Sequence, residues 1–439
     1  MKRLVEKIFN LEHYGTTITR ELRAGVVTFL TMAYIIIVNP AVLSEAGIPK
    51  EAATAATILA AIFGTLLMGI VANRPFAVAP LMGENAFIAY TVCKVMGYSW
   101  QAALAMVLLS SAAVTVLSVS GARKFLIEAI PLNLKYALAV GIGLFLTFIG
   151  LNVSGIVRAG DAAAGVPLQL GKINTPEVLL SVVGFLVMLS LLLWKVPGSL
   201  LLGIIFTTII GIPFKITKLP TQVISLPPSI APTFLKFNFH EAFSSFNFFP
   251  VFLSLFLMDF LDMMGSLIGC SSLAGFLDKE GNLPGAEKPL FVDSVSSVFA
   301  ACVGTTTSGT YIESASGIEE GGRTGLTAVC VAFLFVLSLF FAPFLTIVPP
   351  QAYGPALILV GIFMLREITK INFSDYTELV PAFAIISLMT FTYNIGIGLI
   401  IGFVLYPILK LLSNRVKEVS IGMWILFILG ILFFLLCPH

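Results

Sequence analysis

Val303-Gly-Thr-Thr-Thr-Ser-Gly-Thr-Tyr-Ile-Glu-Ser-Ala-Ser-Gly-Ile-Glu-Glu-Gly-Gly-Arg323 is a polar run rich in Gly, Ser and Thr, set between strongly apolar stretches at 290–302 and 326–348. A partner lies in the first half, Phe76-Ala-Val-Ala-Pro-Leu-Met-Gly-Glu-Asn-Ala-Phe-Ile-Ala-Tyr90, where an extended Pro/Gly segment leads into an acid and a helix-compatible run. Both runs are compatible with connecting loops outside a membrane. Alternatively, two Gly/Pro-interrupted segments in corresponding halves of a membrane protein mark a transport site near the bilayer midplane.

Working outward, the composition decides the solvent. Of 439 residues, 58% are hydrophobic and 11% charged, and the mean hydropathy is +1.02. A soluble domain carries roughly a quarter charged residues, so this chain has too little polar surface to cover itself in water. It reads as an integral membrane protein. Its apolar runs are continuous over roughly 15–25 residues, whereas barrel strands alternate over roughly 10, so the spans are helices. The net charge of +2 gives no footprint for a nucleic-acid partner. The charged N-terminus, residues 1–20, lacks the short apolar core of a cleaved signal peptide. Cys93, Cys270, Cys302, Cys330 and Cys437 are scattered in or beside apolar runs, which fits buried small hydrophobes and no metal or disulfide framework.

Apolar runs fall at 22–44, 52–72, 85–95, 100–119, 132–151, 176–194 and 199–212, and after a Lys- and Pro-bearing break at 213–240 a second series follows at 246–273, 290–302, the polar stretch itself, 326–348, 356–365, 379–392 and 396–412. The expected architecture is therefore all-α, with 14 transmembrane segments: a first repeat at 1–214, a non-cytoplasmic linker at 215–245, a second repeat at 246–413 and a hydrophobic tail at 414–439. Short elements in such a series are tolerated only where their backbone is buried in protein or lines a cavity. With the N-terminus in the cytoplasm, 18 of the 25 Lys and Arg residues fall on the cytoplasmic side, the bias that sets topology. Seven is odd, so the halves are inverted relative to one another. The sequence leaves open whether the tail at 421–437 crosses the membrane.

Ionisable residues inside apolar runs are costly and usually functional. Asp259 and Asp262 sit three apart on one helix face, and Glu313 stands where the Gly/Thr-rich stretch turns into a helix candidate. A carboxylate in a partly dry cavity can carry a proton near neutral pH, or accept N–H groups from a planar heterocycle. Asp259 is also compatible with a structural acid that caps a neighbour or faces a cytoplasmic crevice. Asn85 offers a donor and an acceptor, and is equally a common helix N-cap. Glu84, if extended, points away from its neighbours toward water. Thr28 and Thr31, with Asn39 in the same run, could line a cavity or back-bond to their own helix, and back-bonding is the simpler of the two. Tyr311 could stack on a flat ligand. Gly-Gly-Arg at 321–323 suits an arginine closing a helix pair better than a phosphate site. No ATP-binding loop and no H-E-x-x-H is present, and His13, His240 and His439 lie outside the apolar runs, so neither a pump nor an intramembrane zinc hydrolase is indicated.

Four long motifs carry a family resemblance. Gly15-Thr-Thr with Glu21-Leu-Arg-Ala-Gly-Val-Val-Thr-Phe-Leu-Thr-Met-Ala-Tyr-Ile-Ile-Ile-Val-Asn-Pro40 resembles the opening of the AzgA-like purine permeases, in the nucleobase–cation symporter-2 superfamily. So do Ala79 to Tyr90, Asp259-Phe-Leu-Asp-Met-Met-Gly265, and Tyr311 to Ile318 with Gly321 to Val329. The resemblance implies fourteen segments in two inverted repeats of seven, with short strands in elements 3 and 10, and proton-coupled uptake of adenine, guanine or hypoxanthine across the plasma membrane. Carried over by motif, Asp262 is the acid of the eighth element and Glu313 that of the tenth, both in proton coupling. Gly83 and Asn85 form the third-element site; Thr310 and Ser314 flank Glu313 and complete the substrate-binding set. A homodimer is implied by relatives, and no cofactor is. Two departures stand out. The family often has Asp-Thr-Thr-Gly where this chain has Asp262-Met-Met-Gly, and Gly and Leu where Leu81 and Glu84 stand, which bears on base preference. A uracil/xanthine-type permease is the near alternative, and a same-fold anion transporter or an intramembrane enzyme the remoter ones.

Overall fold

The computed structural model describes residues 2–120, 129–160, 166–219, 222–244, 248–278 and 283–436. Arg123, Lys124, Lys279, Cys437 and His439 lie outside them. In hydrocarbon a backbone has no water to bond and must satisfy itself, so long apolar runs become helices. Among the described residues nine helical stretches are long and apolar enough to cross a membrane: Ile18–Ser44, Lys50–Ile70, Trp100–Val119, Leu132–Val153, Pro176–Leu193, Phe248–Leu273, Gly325–Thr346, Pro350–Lys370 and Ile395–Leu412. Ser199–Ile210, Tyr376–Phe391 and Ile421–Leu435 are shorter apolar helices. The first of the nine is not continuous. It divides into Ile18–Met32 and Ile35–Ser44, and Pro40 in the second piece has no N–H to give the carbonyl four residues back.

Packing sorts the helices into two groups. Ile18–Met32, Lys50–Ile70, Trp100–Ser120, Phe248–Leu273, Glu287–Val303 and Gly325–Ser338 pack among themselves. Leu132–Val153, Pro176–Leu193, Ser199–Ile210, Pro350–Leu365, Tyr376–Phe391 and Ile395–Leu412 form the other group. Small residues set the closest approach in the second. A Cβ on Gly143 would lie 2.8 Å from the Gly361 carbonyl oxygen, and one on Gly150 2.7 Å from that of Gly354. Both pairs recur at seven-residue spacing, the arrangement by which membrane helices gain contact where the hydrophobic effect gives none.

Two pairs of short strands interrupt the helices. β1 (Val78–Pro80) pairs antiparallel with β4 (Ser308–Thr310), in register Val78 to Thr310 and Pro80 to Ser308. β2 (Val157–Ala159) and β3 (Leu168–Leu170) form a second antiparallel pair, an addition to the expected strands of elements 3 and 10. This hairpin is largely exposed, so it has no buried face to leave a hydrophobic pattern in the sequence.

The expected linker at 215–245 is tied to both halves along its described part. On the first, Asn238 N–H donates to the Gln101 carbonyl at 3.2 Å and Ser99 N–H to the Glu241 carboxylate at 2.7 Å. On the second, Leu235 N–H donates to the Cys302 carbonyl at 2.8 Å, and the buried Thr233 hydroxyl donates to that of Val303 at 2.9 Å. Gly304 makes room for it: its φ is +103°, and a Cβ there would meet Thr233 Cβ at 2.2 Å.

At the other end, Ile421–Leu436 packs against Ile395–Leu412, joined by a charged cluster. The fully buried Lys410 reaches Glu378 at 2.7 Å and Glu418 at 2.8 Å. Arg415 reaches Asp375 at 2.5 Å and Glu418 at 2.7 Å. Arg415, with Lys410, pulls the Glu418 carboxyl down to about 2, and Arg415 with Thr377 holds Asp375 well below its ordinary value. Both acids ionise more readily folded than unfolded, so their contribution is complete above the ordinary carboxylate range and is lost as pH falls through the folded values. An Arg415→Gln variant is expected to melt below the parent at pH 7 in detergent. The gap should narrow below about pH 4 and close below about pH 2. A gap that stayed constant down to pH 3 would contradict this account.

Candidate functional site

The site is built on the β1–β4 pair, in which every strand residue is buried. Three residues per strand cannot satisfy their own backbones, so neighbours do. Beyond the ladder, Leu81 N–H donates to the Thr307 carbonyl at 3.0 Å and Tyr311 N–H to that of Ala77 at 2.9 Å. The outer edges are met by hydroxyls. Thr65, in Lys50–Ile70, accepts from Val78 N–H and donates to Val78 C=O, both at 2.9 Å. Ser297, in Glu287–Val303, accepts from Ser308 N–H at 3.0 Å and donates to Ser308 C=O at 2.7 Å. Val78 and Ser308 are the first residues of their strands, so one device serves both halves.

The next position differs for a chemical reason. Asp293, one turn before Ser297, accepts from Thr310 N–H at 3.2 Å and from the Thr310 hydroxyl at 2.9 Å. The matching position before Thr65 is Ala61, and the matching strand residue is Pro80. Proline has no N–H, so no acceptor is required there.

The residues expected from sequence gather around this pair. Glu313 is the N-cap residue of the helix Ser314–Glu319, and its carboxylate accepts from the Tyr34 hydroxyl at 2.6 Å. Tyr34 is delivered by the break between Ile18–Met32 and Ile35–Ser44. Thr31 back-bonds to its own helix, its hydroxyl donating to the Thr28 carbonyl at 2.9 Å. Asp262 is half-buried on Phe248–Leu273. Tyr311 ties the group together: its hydroxyl donates to the Pro80 carbonyl, and it interacts electrostatically with Glu313, Glu84 and Asp262. Gly83 and Asn85 lie in the buried helix Met82–Ala86, which continues as a π-helical stretch Phe87–Val95. A Cβ on Gly83 would sit 2.9 Å from Ile142. Asn85 is inside that helix and not at its cap, with both side-chain polar atoms unpartnered. The Thr310 hydroxyl is engaged by Asp293, and the Ser314 hydroxyl accepts Ala77 N–H at 3.0 Å.

Two sequence expectations change. Glu84 does not face water: it is 0% exposed, and both carboxylate oxygens lack a partner. The helix begins at Met82, so Glu84 is helical and its direction cannot follow strand alternation. Asp259 is buried rather than in a crevice; one oxygen lies 3.2 Å from the Ser297 hydroxyl, a neighbour contact that fits the structural-acid alternative, and the other is unpartnered. Asp293 and Tyr34 escaped the sequence reading. Asp293 lies in the apolar run 290–302, so the rule that singled out Asp262 applied to it equally. Tyr34 had no signal, because the helix break that aims it is set by tertiary packing.

At 321–323 the Arg323 guanidinium donates to the Ile318 carbonyl at 2.6 Å. Its backbone N–H meets the buried Glu21 at 2.9 Å. Glu21 also takes the Thr324 N–H at 3.2 Å and the Thr327 hydroxyl at 2.6 Å. Glu21 of Ile18–Met32 thus caps Gly325–Ser338, where a carboxylate suits the exposed N–H groups.

Many helices in two groups, with buried broken segments lined by acids, define a polytopic membrane transport protein. The chain belongs to the permease family: the xanthine/uracil permease model, described as a permease family, matches residues 19–401. It is 38% identical to the guanine/hypoxanthine permease PbuG of Bacillus subtilis, over 98% of this chain and 99% of that one. It is 36% identical to the adenine permease AdeP of Escherichia coli, over 98% and 96% respectively. Among solved structures, the transmembrane domain of a cyanobacterium bicarbonate transporter, BicA, superposes with a TM-score of 0.64 at 17% identity, covering 87% of this chain and 96% of that one. That likeness concerns fold alone.

The Asp293–Thr310 contact is testable as a unit. Asp293→Asn and Thr310→Val should each lower stability by about 1–3 kcal/mol. The double variant should lose less than the sum, since Thr310→Val removes the hydroxyl bond that Asp293→Asn already weakens, while the Thr310 N–H keeps an acceptor. Thermal unfolding of the four purified proteins measures this, and strictly additive losses would count against the contact.

Proposed function

We propose that this chain is a secondary active transporter that imports purine nucleobases by proton symport with alternating access. The observation that carries the reading is the cluster of buried polar groups without protein partners where two broken segments meet. Leaving such a group unpaired costs about 1–3 kcal/mol, so a ligand that supplies the missing bonds binds strongly and selectively. Purines offer ring nitrogens, N–H edges and a flat face. The names of PbuG and AdeP place guanine, hypoxanthine and adenine among the substrates of relatives that match nearly end to end.

In this reading Gly83, Asn85, Asp262 and Glu313 face the base, while Thr310 and Ser314 fix the strands that present it. Gly83 lets the chain pass closely, and Asn85 supplies one donor and one acceptor. Glu313, oriented by Tyr34, accepts a ring N–H. Protonation of Asp262 accompanies binding and its release resets the cycle, with the group containing β1 and β4 moving against the other. The fourteen-segment layout in two inverted repeats, 1–214 and 246–413, joined at 215–245 and followed by a tail at 414–439, belongs to the same proposal. The matched hydroxyls of Thr65 and Ser297 support it, since equivalent helices treat equivalent strands alike. The N-terminus is cytoplasmic and the membrane is the plasma membrane. Acids at 262 and 313 speak against an anion substrate.

Uptake of labelled adenine, guanine, hypoxanthine and uracil, with and without a protonophore, tests this. Purine accumulation that collapses with the proton gradient is expected, while a preference for uracil would overturn it. Asp262→Asn should lose gradient-driven accumulation but retain some counterflow. Full accumulation would remove Asp262 from coupling.

A further inference from the structure

Glu84 is given no contact with the base in the reading above, although it belongs to the unpartnered cluster that carries that reading. It is 0% exposed, and neither carboxylate oxygen has a hydrogen-bond partner. The charged groups whose fields reach it are Asp262 and Asp259, both acids, on Phe248–Leu273. The phenol of Tyr311 also interacts with it, but donates its proton to the Pro80 carbonyl. Among the described residues no cation offsets Glu84, and its chain neighbour Asn85 is equally buried and unpartnered at both polar atoms. A carboxylate accepts on two parallel oxygens and matches two adjacent N–H donors held in one plane. An amide beside it offers one donor and one acceptor to the rest of the same edge.

We infer that Glu84 is a specificity-determining residue. It reads a purine edge with two adjacent N–H donors, a ring N–H beside an exocyclic amine, and so favours guanine over hypoxanthine, which lacks the amine. The inference rests on the purine reading and refines it. A site built to hydrogen-bond a group discriminates strongly against the analogue without it, because its own polar atom is then left unpaired. Asn85 meets the neighbouring carbonyl or ring nitrogen, present in both bases, and so adds affinity without adding this discrimination.

Competition for labelled-base uptake in the full chain tests this, with guanine and hypoxanthine as competitors and parent, Glu84→Gln and Glu84→Asp compared. Glu84→Gln replaces one acceptor by a donor, and should reduce the guanine-to-hypoxanthine affinity ratio about tenfold or more. Glu84→Asp should recover part of that ratio. An unchanged ratio in Glu84→Gln, or equal losses for both bases, would overturn the inference. The two readings fail separately: a parent protein that takes up purines with a ratio insensitive to residue 84 defeats this inference alone. A parent that takes up neither base defeats the purine reading as well.

Discussion

An unpaired peptide group in the middle of a membrane protein is the constraint from which this structure follows. Two three-residue strands, β1 and β4, lie buried among helices, where each N–H and C=O must find a partner inside the protein. They find one another across the chain's midpoint. What the ladder cannot reach is taken up by Thr65 on one flank and Ser297 on the other. Asp293 then answers the N–H of Thr310, which Pro80 lacks on the opposite strand. The helices carrying these side chains are thereby fixed to the strands, and the neighbouring acids inherit their positions.

Beside this satisfied framework lies its opposite. Asn85, Glu84 and one oxygen of Asp259 are buried without partners. The framework makes that arrangement tenable, because rigid surroundings deny these groups the rearrangements that would let them pair with one another. Tyr34 and Tyr311 act at the boundary between the two regimes. Each donates its hydroxyl to an acceptor on the framework, Glu313 or Pro80.

Much of this was legible in the sequence. The polar run at 303–323 and its mate at 76–90 stood out because hydrocarbon tolerates few such interruptions, and the two strands arise inside those runs. Asp262 and Glu313 were visible as acids among apolar residues. Glu84 was misjudged because its direction depends on where a helix starts, and burial by other elements is a tertiary fact. Asp293 shares the run 290–302 with Ser294, Ser296 and Ser297, so it stands out less than an acid alone among apolar residues. Tyr34 could not be read at all: a tyrosine in an apolar run resembles any core aromatic until a partner over 200 positions away is known. The β2–β3 hairpin left no trace, since an exposed pair needs no hydrophobic face.

The β1–β4 ladder also has a bearing on biogenesis. Residues 231 positions apart, Pro80 and Tyr311, share a bond in the finished protein. When the ribosome has delivered only the first half, Thr65 can meet Val78, but the edge of 78–80 that faces β4 has nothing to pair with. That segment therefore cannot settle in lipid by itself. That edge is satisfied only once the later helices arrive, so this part of the fold depends on both halves together.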